Sequence, residues 1–320
     1  MNPVYSIIVP VYDRPDEIRE LLASLKQQRF RSFEVIVVED GSVKDCEREV
    51  RAAAQDLTVR YFRKENEGPG PARNFGFREA RGEYFIVFDS DCLIPEGYLD
   101  AVEAFRRVHQ VDGWGGPDAG HPSFTPLQQA MAWTMSSWLT TGGIRGRKGA
   151  LDSFQPRSFN MGISRKVWEA TGGFRFDRYA EDIELSIRMR DSGFQVWLIA
   201  EAFVYHKRRT SLSQFFRQVT NFGRGRMEVA AVHRGTLKLA HWLPLIFTAG
   251  LIVSLFTLIL FPEVVRWMAG LYGMYLVLIF AGATAATGSV QVGVLAIPSV
   301  LVQLSGYARG FVAGFFAKRS

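Results

Sequence analysis

The chain has 320 residues, 48% of them hydrophobic, with a net charge of +6 and a pI near 9.4, a length that allows one large domain or two. Two cysteines, Cys46 and Cys92, exclude a disulfide framework and a zinc-finger pattern and fit a reducing compartment. The positive charge gathers just ahead of an almost charge-free C-terminal tail, so the positive-inside bias of membrane proteins explains it and no nucleic acid is called for.

Ser6–Val11 reads as a first strand, too short for a secretory signal, which puts the soluble part in the cytosol. Asp13-Arg14-Pro15 opens a helix with Asp16 and Glu17 in its first turn and Ile18, Leu21, Leu22 and Leu25 at helical spacing. Phe33–Val38 is a second strand, ending in Glu39-Asp40-Gly41-Ser42, and Val59–Phe62 a third. Gly68-Pro-Gly-Pro-Ala-Arg73-Asn74 turns into a helix that runs through Ala80. Tyr84–Phe88 is the next strand, nearly all apolar as expected of a strand covered on both faces. This alternation predicts an α/β protein with a parallel, Rossmann-like sheet. Further on, Leu99–Val108 reads as helix, Trp114–Pro117 as a turn, Thr140–Phe154 as a mobile loop, and Gln195–Ala200 and Ala202–Tyr205 as short strands.

Residues 211–238 read as an amphipathic helix, with Leu212, Phe215, Phe216, Val219 and Phe222 on one face and Arg217, Arg224 and Arg226 off it; it fits either a docked helix or an interfacial membrane helix. Residues 239–320 read as a membrane region. Two segments, about 242–261 and 267–286, are each long enough to span a bilayer and are joined by Pro262–Arg266 as a hairpin. The stretch 290–317, with Pro298 and Arg309 inside it, reads as a third span or as a re-entrant or interfacial segment, the latter favoured. Residues 1–210 are left for the catalytic domain.

The strand Tyr84–Phe88 ends in Asp89-Ser90-Asp91. Carboxylates there are costly to desolvate unless a cation or hydrogen-bond donors compensate them. Strand carboxyl ends are where open α/β sheets bind ligands, and a hard divalent cation with a phosphate-bearing ligand suits paired aspartates. A plain Asp/Ser turn is the alternative.

Several motifs in order resemble the family 2 glycosyltransferases with the GT-A fold. They are Ile8-Val-Pro10-Val-Tyr12-Asp13, Glu39-Asp40-Gly41-Ser42, Asn66 to Gly76 with Ala72-Arg73-Asn74, the Asp89-Ser90-Asp91 strand end, Asn160–Arg165, Gly172-Gly-Phe174 and Glu181-Asp182. The resemblance covers about residues 4–235 and implies a mixed, mostly parallel GT-A sheet flanked by helices, followed by the membrane region. It implies donor binding by Pro10, Tyr12, Asp13, Asp40, Arg73, Asp89 and Ser90. In it, Asp40 accepts hydrogen bonds from the base or ribose, Gly68 and Gly70 let backbone approach the ligand, and Arg73 pairs with the diphosphate. Asp91, Asp89 and His206 would hold Mg2+ or Mn2+, with a ribose contact as the alternative for Asp89 and a structural role as the alternative for His206. Cys92 is packing, because a thiol suits a hard cation poorly. Asp182 is the implied general base, beside Glu181 whose charge raises its basicity; stabilisation of a helix N-terminus is the alternative. Asn160, Glu181, Trp133, Gln214 and Arg217 fall on the acceptor side, with Trp138 and the 142–149 loop as an acceptor wall or lid. Gln214-Phe-Phe-Arg217-Gln218 has glutamine where processive synthases carry tryptophan, which points to transfer of a single sugar.

The implied activity is inverting, metal-dependent transfer from a nucleotide-sugar, a UDP-sugar favoured, to a hydroxyl of a lipid-linked or membrane-associated acceptor, at the cytoplasmic membrane. A non-catalytic nucleotide-sugar-binding membrane subunit and a nucleotidyltransferase are the alternatives.

Overall fold

Tyr5–Val11 (β1) is an interior strand of the sheet because its side chains find apolar partners on both faces. Ile7 and Val9 join one buried cluster and Ile8 the other, each fully removed from solvent. Each such burial is worth roughly 1.5–3 kcal/mol. The computed structural model describes residues 2–119, 121, 124–141, 154–207, 209–256 and 262–317. They fall into two compact units, Met1–His121 with Ala150–Lys207, and Pro122–Gly149 with Arg208–Ser320.

In the first unit the elements after β1 are α1 (Pro15–Lys26), β2 (Phe33–Asp40), α2 (Glu47–Ala53), β3 (Val59–Lys64), α3 (Pro69–Glu79), β4 (Tyr84–Phe88), β5 (Cys92–Leu93), α4 (Tyr98–Arg106), β6 (Gly113–Gly115) and β7 (Asp118–Ala119). The second unit then supplies α5 (Pro126–Ser136) and α6 (Trp138–Thr141). The chain returns to the first unit as β8 (Asn160–Ser164), α7 (Arg165–Thr171), α8 (Glu181–Asp191), β9 (Val196–Leu198) and β10 (Val204–His206). It ends in the second unit as α9 (Leu212–Val232), α10 (Leu243–Phe256), α11 (Pro262–Thr287) and α12 (Val290–Ala317).

The large sheet has the order β3-β2-β1-β4-β8-β6-β9. All neighbouring pairs are parallel except those made by β8, which runs against both β4 and β6. The sheet is therefore mixed and mostly parallel. One face carries Ile7, Val35, Val37 and Ile86 under α1 and α4; the other carries Ile8, Ile36, Phe85 and Val87 under Phe77 of α3 and Leu185 and Met189 of α8. A second sheet of three short strands, β5-β10-β7, continues from the Asp-x-Asp turn.

Three readings of the sequence change: Pro262–Arg266, expected to link two spans, is the first turn of α11. Trp114 is not in a turn: Gly113–Gly115 is a strand pairing both β8 and β9, with the indole fully buried. The run Gly-Trp-Gly-Gly-Pro looks like turn chemistry, and burial of Trp114 overrides it. Asn160–Ser164, which carried only a motif, is the antiparallel strand beside β4.

In the second unit α5 starts with a capping box, Thr125 and Gln128 each accepting from the other's backbone, with Pro126 at the first helical position. The helix α11 is 26 residues long, with only 6% of its most apolar window buried; α12 is 28 residues, and helix continues through Pro298. These two are long and apolar enough to cross a membrane. The described part of α10 covers 14 mostly apolar residues, and 257–261 lie outside the described residues.

Candidate active site

The strand order reverses between β1 and β4: β2 and β3 lie to one side of β1, and β4 to the other. Such a switch point opens a crevice at the carboxyl ends of the strands. The residues leaving β1, β2 and β4 at that edge are Tyr12-Asp13-Arg14, Asp40-Gly41-Ser42 and Asp89-Ser90-Asp91.

The end of β2 is tied down from within. The buried Asp40 carboxylate accepts from Lys64 Nζ at 2.9 Å, from the Gly68 backbone N–H at 2.8 Å and from that of Glu67 at 3.1 Å. Asp13, in the left-handed region at φ 53°, accepts from the N–H groups of Val43 and Lys44 at 2.8 and 2.9 Å, and its own N–H donates to Ser42 Oγ at 2.7 Å. Ser42 donates in turn to the fully buried Glu39, which also accepts from the Cys46 N–H at 2.9 Å. Pro10 is half-buried at the end of β1, Tyr12 is 51% exposed, and Ser90 is buried.

The glycines before α3 have a different neighbour from the one expected of them. A Cβ on Gly70 would lie 2.1 Å from the Phe176 carbonyl oxygen, and the Gly70 N–H donates to Asp177 O at 2.9 Å. Gly68, at φ 109°, faces the same segment. The close approach is to backbone 176–177 of this chain.

Asp91 is buried between Arg14 and His206. Arg14 Nη1 lies 2.6 Å from one carboxylate oxygen and His206 Nε2 3.1 Å from the other. His206 ends β10 opposite Cys92 of β5 and stacks on Phe159 at 4.8 Å. One ligand atom each from Asp91, Cys92 and His206 fall within 4.8 Å of one another. Burial, then the charges of Asp91 and Asp89, push the Cys92 thiol well up, so it stays a neutral thiol and a poor ligand. The oxygen and imidazole donors that remain fit a small divalent cation that keeps other ligands from phosphate or water.

Arg73 is the centre of the site. Its side chain is 3% exposed; Nη2 donates to Asp89 Oδ1 and Nη1 to Glu181 Oε1, each at 2.7 Å. The guanidinium also lies over the Phe174 ring at 5.4 Å. Its neighbour Asn74 clamps Phe174 both ways, donating to its carbonyl at 2.7 Å and accepting from its N–H at 2.8 Å. Helix α8 begins after Ala180, a non-glycine residue at φ 54°, and its first two residues are Glu181 and Asp182. Burial pushes the Glu181 carboxyl up to about 6, against the pull of Arg73 and with the push of Asp182 beside it. Asp182 accepts from the Ser158 N–H at 3.3 Å, lies 3.5 Å from Arg157 Nη1, and is 9% exposed. Ser158 Oγ donates to Glu181 at 3.2 Å.

Asp13, Asp40, Arg73, Asp89, Ser90, Asp91, Glu181, Asp182 and His206 all belong to the first unit. So does Asn160, fully buried, its amide engaged by Tyr98 OH at 2.6 Å and the Ala202 carbonyl at 2.8 Å. Trp133, Gln214 and Arg217 belong to the second unit. There Trp133 packs near Gly282 of α11, Gln214 accepts from the Thr210 N–H at 3.1 Å to start α9, and Arg217 is exposed. The 142–149 loop lies outside the described residues. Arg14, Arg157 and Ser158 were not singled out by sequence. Arg14 follows Asp13 directly, and Arg157-Ser158 precede the Asn160 motif, but their partners are distant in the chain.

A sheet of order 3-2-1-4 with one antiparallel strand beyond, acids at its switch point and a helix headed by Glu-Asp define a GT-A domain. A profile described as Glycosyl transferase family 2 matches residues 6–162. The succinoglycan biosynthesis protein ExoA of Rhizobium meliloti is 25% identical over 248 residues, 75% of this chain and 74% of that protein. The mannosyltransferase PcManGT from Pyrobaculum calidifontis, solved in complex with GDP-Man and Mn2+, has a TM-score of 0.61 at 18% identity, covering 99% of this chain and 88% of that one. S. aureus TarS 1-349 in complex with UDP-GlcNAc has a TM-score of 0.54 at 18% identity, covering 98% and 92%. An uncharacterized glycosyltransferase of Rickettsia felis is 39% identical over 98 residues, a match that spans only 16% of its length. Residues 6–162 thus carry the pattern of glycosyl transferase family 2 on a GT-A fold.

Proposed function

We propose that this chain is an inverting glycosyltransferase that moves one sugar from a nucleotide-sugar, a UDP-sugar favoured, to a hydroxyl of a lipid-linked or membrane-associated acceptor. The observation that carries the reading is Arg73, which bonds Asp89 of the Asp-x-Asp turn with one nitrogen and Glu181, next to Asp182, with the other. Acids from the donor-side and acceptor-side halves of the chain thus meet at one guanidinium.

Asp182 accepts the proton of the acceptor hydroxyl as its oxygen attacks the anomeric carbon, in a single displacement that inverts it. Arg157 and the Ser158 N–H fix the orientation of that carboxylate. Asp40, Asp13 and Tyr12 receive the nucleoside at the ends of β1 and β2. Asp91 and His206 would hold Mg2+ or Mn2+, which would neutralise charge gathering on the departing nucleoside diphosphate. The neighbour solved with Mn2+ supports a divalent ion of this kind. The apolar, solvent-facing α11 supports a membrane anchor, which this reading places in the cytoplasmic membrane with the catalytic domain in the cytosol.

The test is a panel of nucleotide-sugars offered to the detergent-purified chain, scored for released nucleoside diphosphate with wild type and Asp182→Asn. Release from one donor by wild type, cut about 100-fold or more by the substitution, is expected. Pyrophosphate release would mean a nucleotidyltransferase, and binding without turnover a non-catalytic subunit; either overturns the proposal.

A further inference from the structure

The second unit divides into a protruding hairpin and a platform. Helices α10 and α11 pack on each other through Phe247, Tyr272 and Tyr275, with Tyr272 OH donating to the Phe247 carbonyl at 2.9 Å. Toward its start α11 is bare: Val264, Trp267 and Leu271 are 57%, 78% and 58% exposed. Its later part meets α12, where Gly293 sits against Phe280 and Thr284.

Helix α12 spends its second half on α9. A Cβ on Gly306 would lie 2.6 Å from Val219, one on Gly310 1.8 Å from the Thr220 carbonyl oxygen, and one on Gly314 2.8 Å from Met227. Gly223 of α9 answers from the other side against Tyr307 and Phe311. Contacts advance along both helices together, so α9 and α12 run in the same direction with their backbones in near contact. The first half of α12 is met by α5. Ala130 lies in one cluster with Ile279, Val292 and Ala296, and Met131 and Met135 pack with Phe215 and Val219 of α9.

Helix α9 is not a lipid-soluble partner. Beside its apolar face it carries Arg217, Arg224, Arg226 and Glu228, with Arg224 Nε 3.2 Å from Glu228. Arg309 of α12 is itself exposed, above the Phe216 ring at 5.7 Å. A spanning α12 would drag this charged sheath through the hydrocarbon, where such groups are strongly disfavoured. Trp242, at the start of α10, packs on Phe311 at 5.0 Å, so the hairpin sets out from the level of α12's second half.

We infer that α12 does not span the bilayer although its length and composition allow it: α5, α9 and α12 form a platform in the headgroup region of one leaflet, and the α10–α11 hairpin alone crosses. The surface fits a lipid interface, with apolar faces against the hairpin and Arg217, Arg224, Arg226 and Arg309 at headgroup level. Both ends of the second unit's C-terminal part then stay on one side of the membrane. This rests on the membrane reading above.

Single cysteines at Arg234, Glu263, Arg309 and Ala317 in sealed vesicles of one orientation, probed with an impermeant maleimide before and after permeabilisation, test it. Cys46 and Cys92 are buried, and the wild-type chain gives the background. Arg234→Cys, Arg309→Cys and Ala317→Cys are expected to label from one side and Glu263→Cys from the other. Labelling of Ala317→Cys with Glu263→Cys, or an Arg309→Cys that stays unlabelled after permeabilisation, overturns the platform and leaves the membrane reading standing. Labelling of Arg234→Cys and Glu263→Cys from the same side overturns the hairpin and with it the membrane reading.

Discussion

Asp89 and Glu181, far apart in the chain, bind the two terminal nitrogens of one buried guanidinium, each at 2.7 Å. Removing that guanidinium leaves Glu181, 6% exposed, without its cation. Losing one partner of a buried pair costs about 3–5 kcal/mol. Arg73→Met is therefore expected to lower the unfolding free energy of the detergent-purified chain by about 3–5 kcal/mol, read as a lower denaturant midpoint. Arg73→Lys, a point charge unable to reach both acids in parallel, falls between the two. A midpoint unchanged in Arg73→Met would show that the bridge stabilises nothing.

The elevated Glu181 carboxyl makes stability depend on pH. In the unfolded chain a glutamate loses its proton near 4.5, whereas in the fold Glu181 keeps it up to about 6. The folded state binds more protons between these values, so this group's contribution is complete below the lower value and lost as pH rises through the upper one. Against Glu181→Gln, wild-type stability is expected to fall by about 2 kcal/mol between pH 4 and 7. Parallel stability curves for the two proteins across that range would refute the assignment.

How much of this was legible in sequence depended on whether a signal was local. Tyr84–Phe88 ends where the apolar run meets Asp89, because strand burial and turn chemistry change at the same residue. The acids of the site announced themselves by position at strand and helix ends. Their partners did not: that Arg14 reaches Asp91, or that Gly70 faces residues 176–177, follows only from the packing of distant segments. Helix α5, eleven residues without a charge, carries no local signal because its partners lie in α9, α11 and α12. The one readable sign of the α9–α12 contact was glycine at 306, 310 and 314, the spacing of closely packed helices.

The chemistry of the Asp91 cluster separates its three donors. If a divalent ion sits on Asp91 and His206, then Asp91→Asn and His206→Ala should each weaken Mn2+ binding at least tenfold, read by electron paramagnetic resonance of free Mn2+. Cys92→Ala should leave it within about twofold, since the neutral thiol gives a hard cation little. Chelation with EDTA should stop nucleoside diphosphate release, and added Mn2+ or Mg2+ should restore it. A Cys92→Ala chain that loses the ion would make the thiol a ligand.

Two glycines in the second unit present a matched comparison. Alanine at Gly310 would push its Cβ to 1.8 Å from the Thr220 carbonyl oxygen, a backbone atom that cannot swing away, whereas at Gly273 nothing lies within 4 Å. Alanine also favours helix over glycine by about 1 kcal/mol at an ordinary interior position. Gly273→Ala should thus leave the thermal midpoint of the detergent-solubilised chain unchanged or slightly raised. Gly310→Ala should lower it, because parting α9 and α12 forfeits contacts along both helices and overpacking of this kind costs typically 1–3 kcal/mol. Equal midpoints for the two variants would mean that the helices are not pressed together at Gly310, and the platform would lose the contact that binds α12 to its charged neighbour.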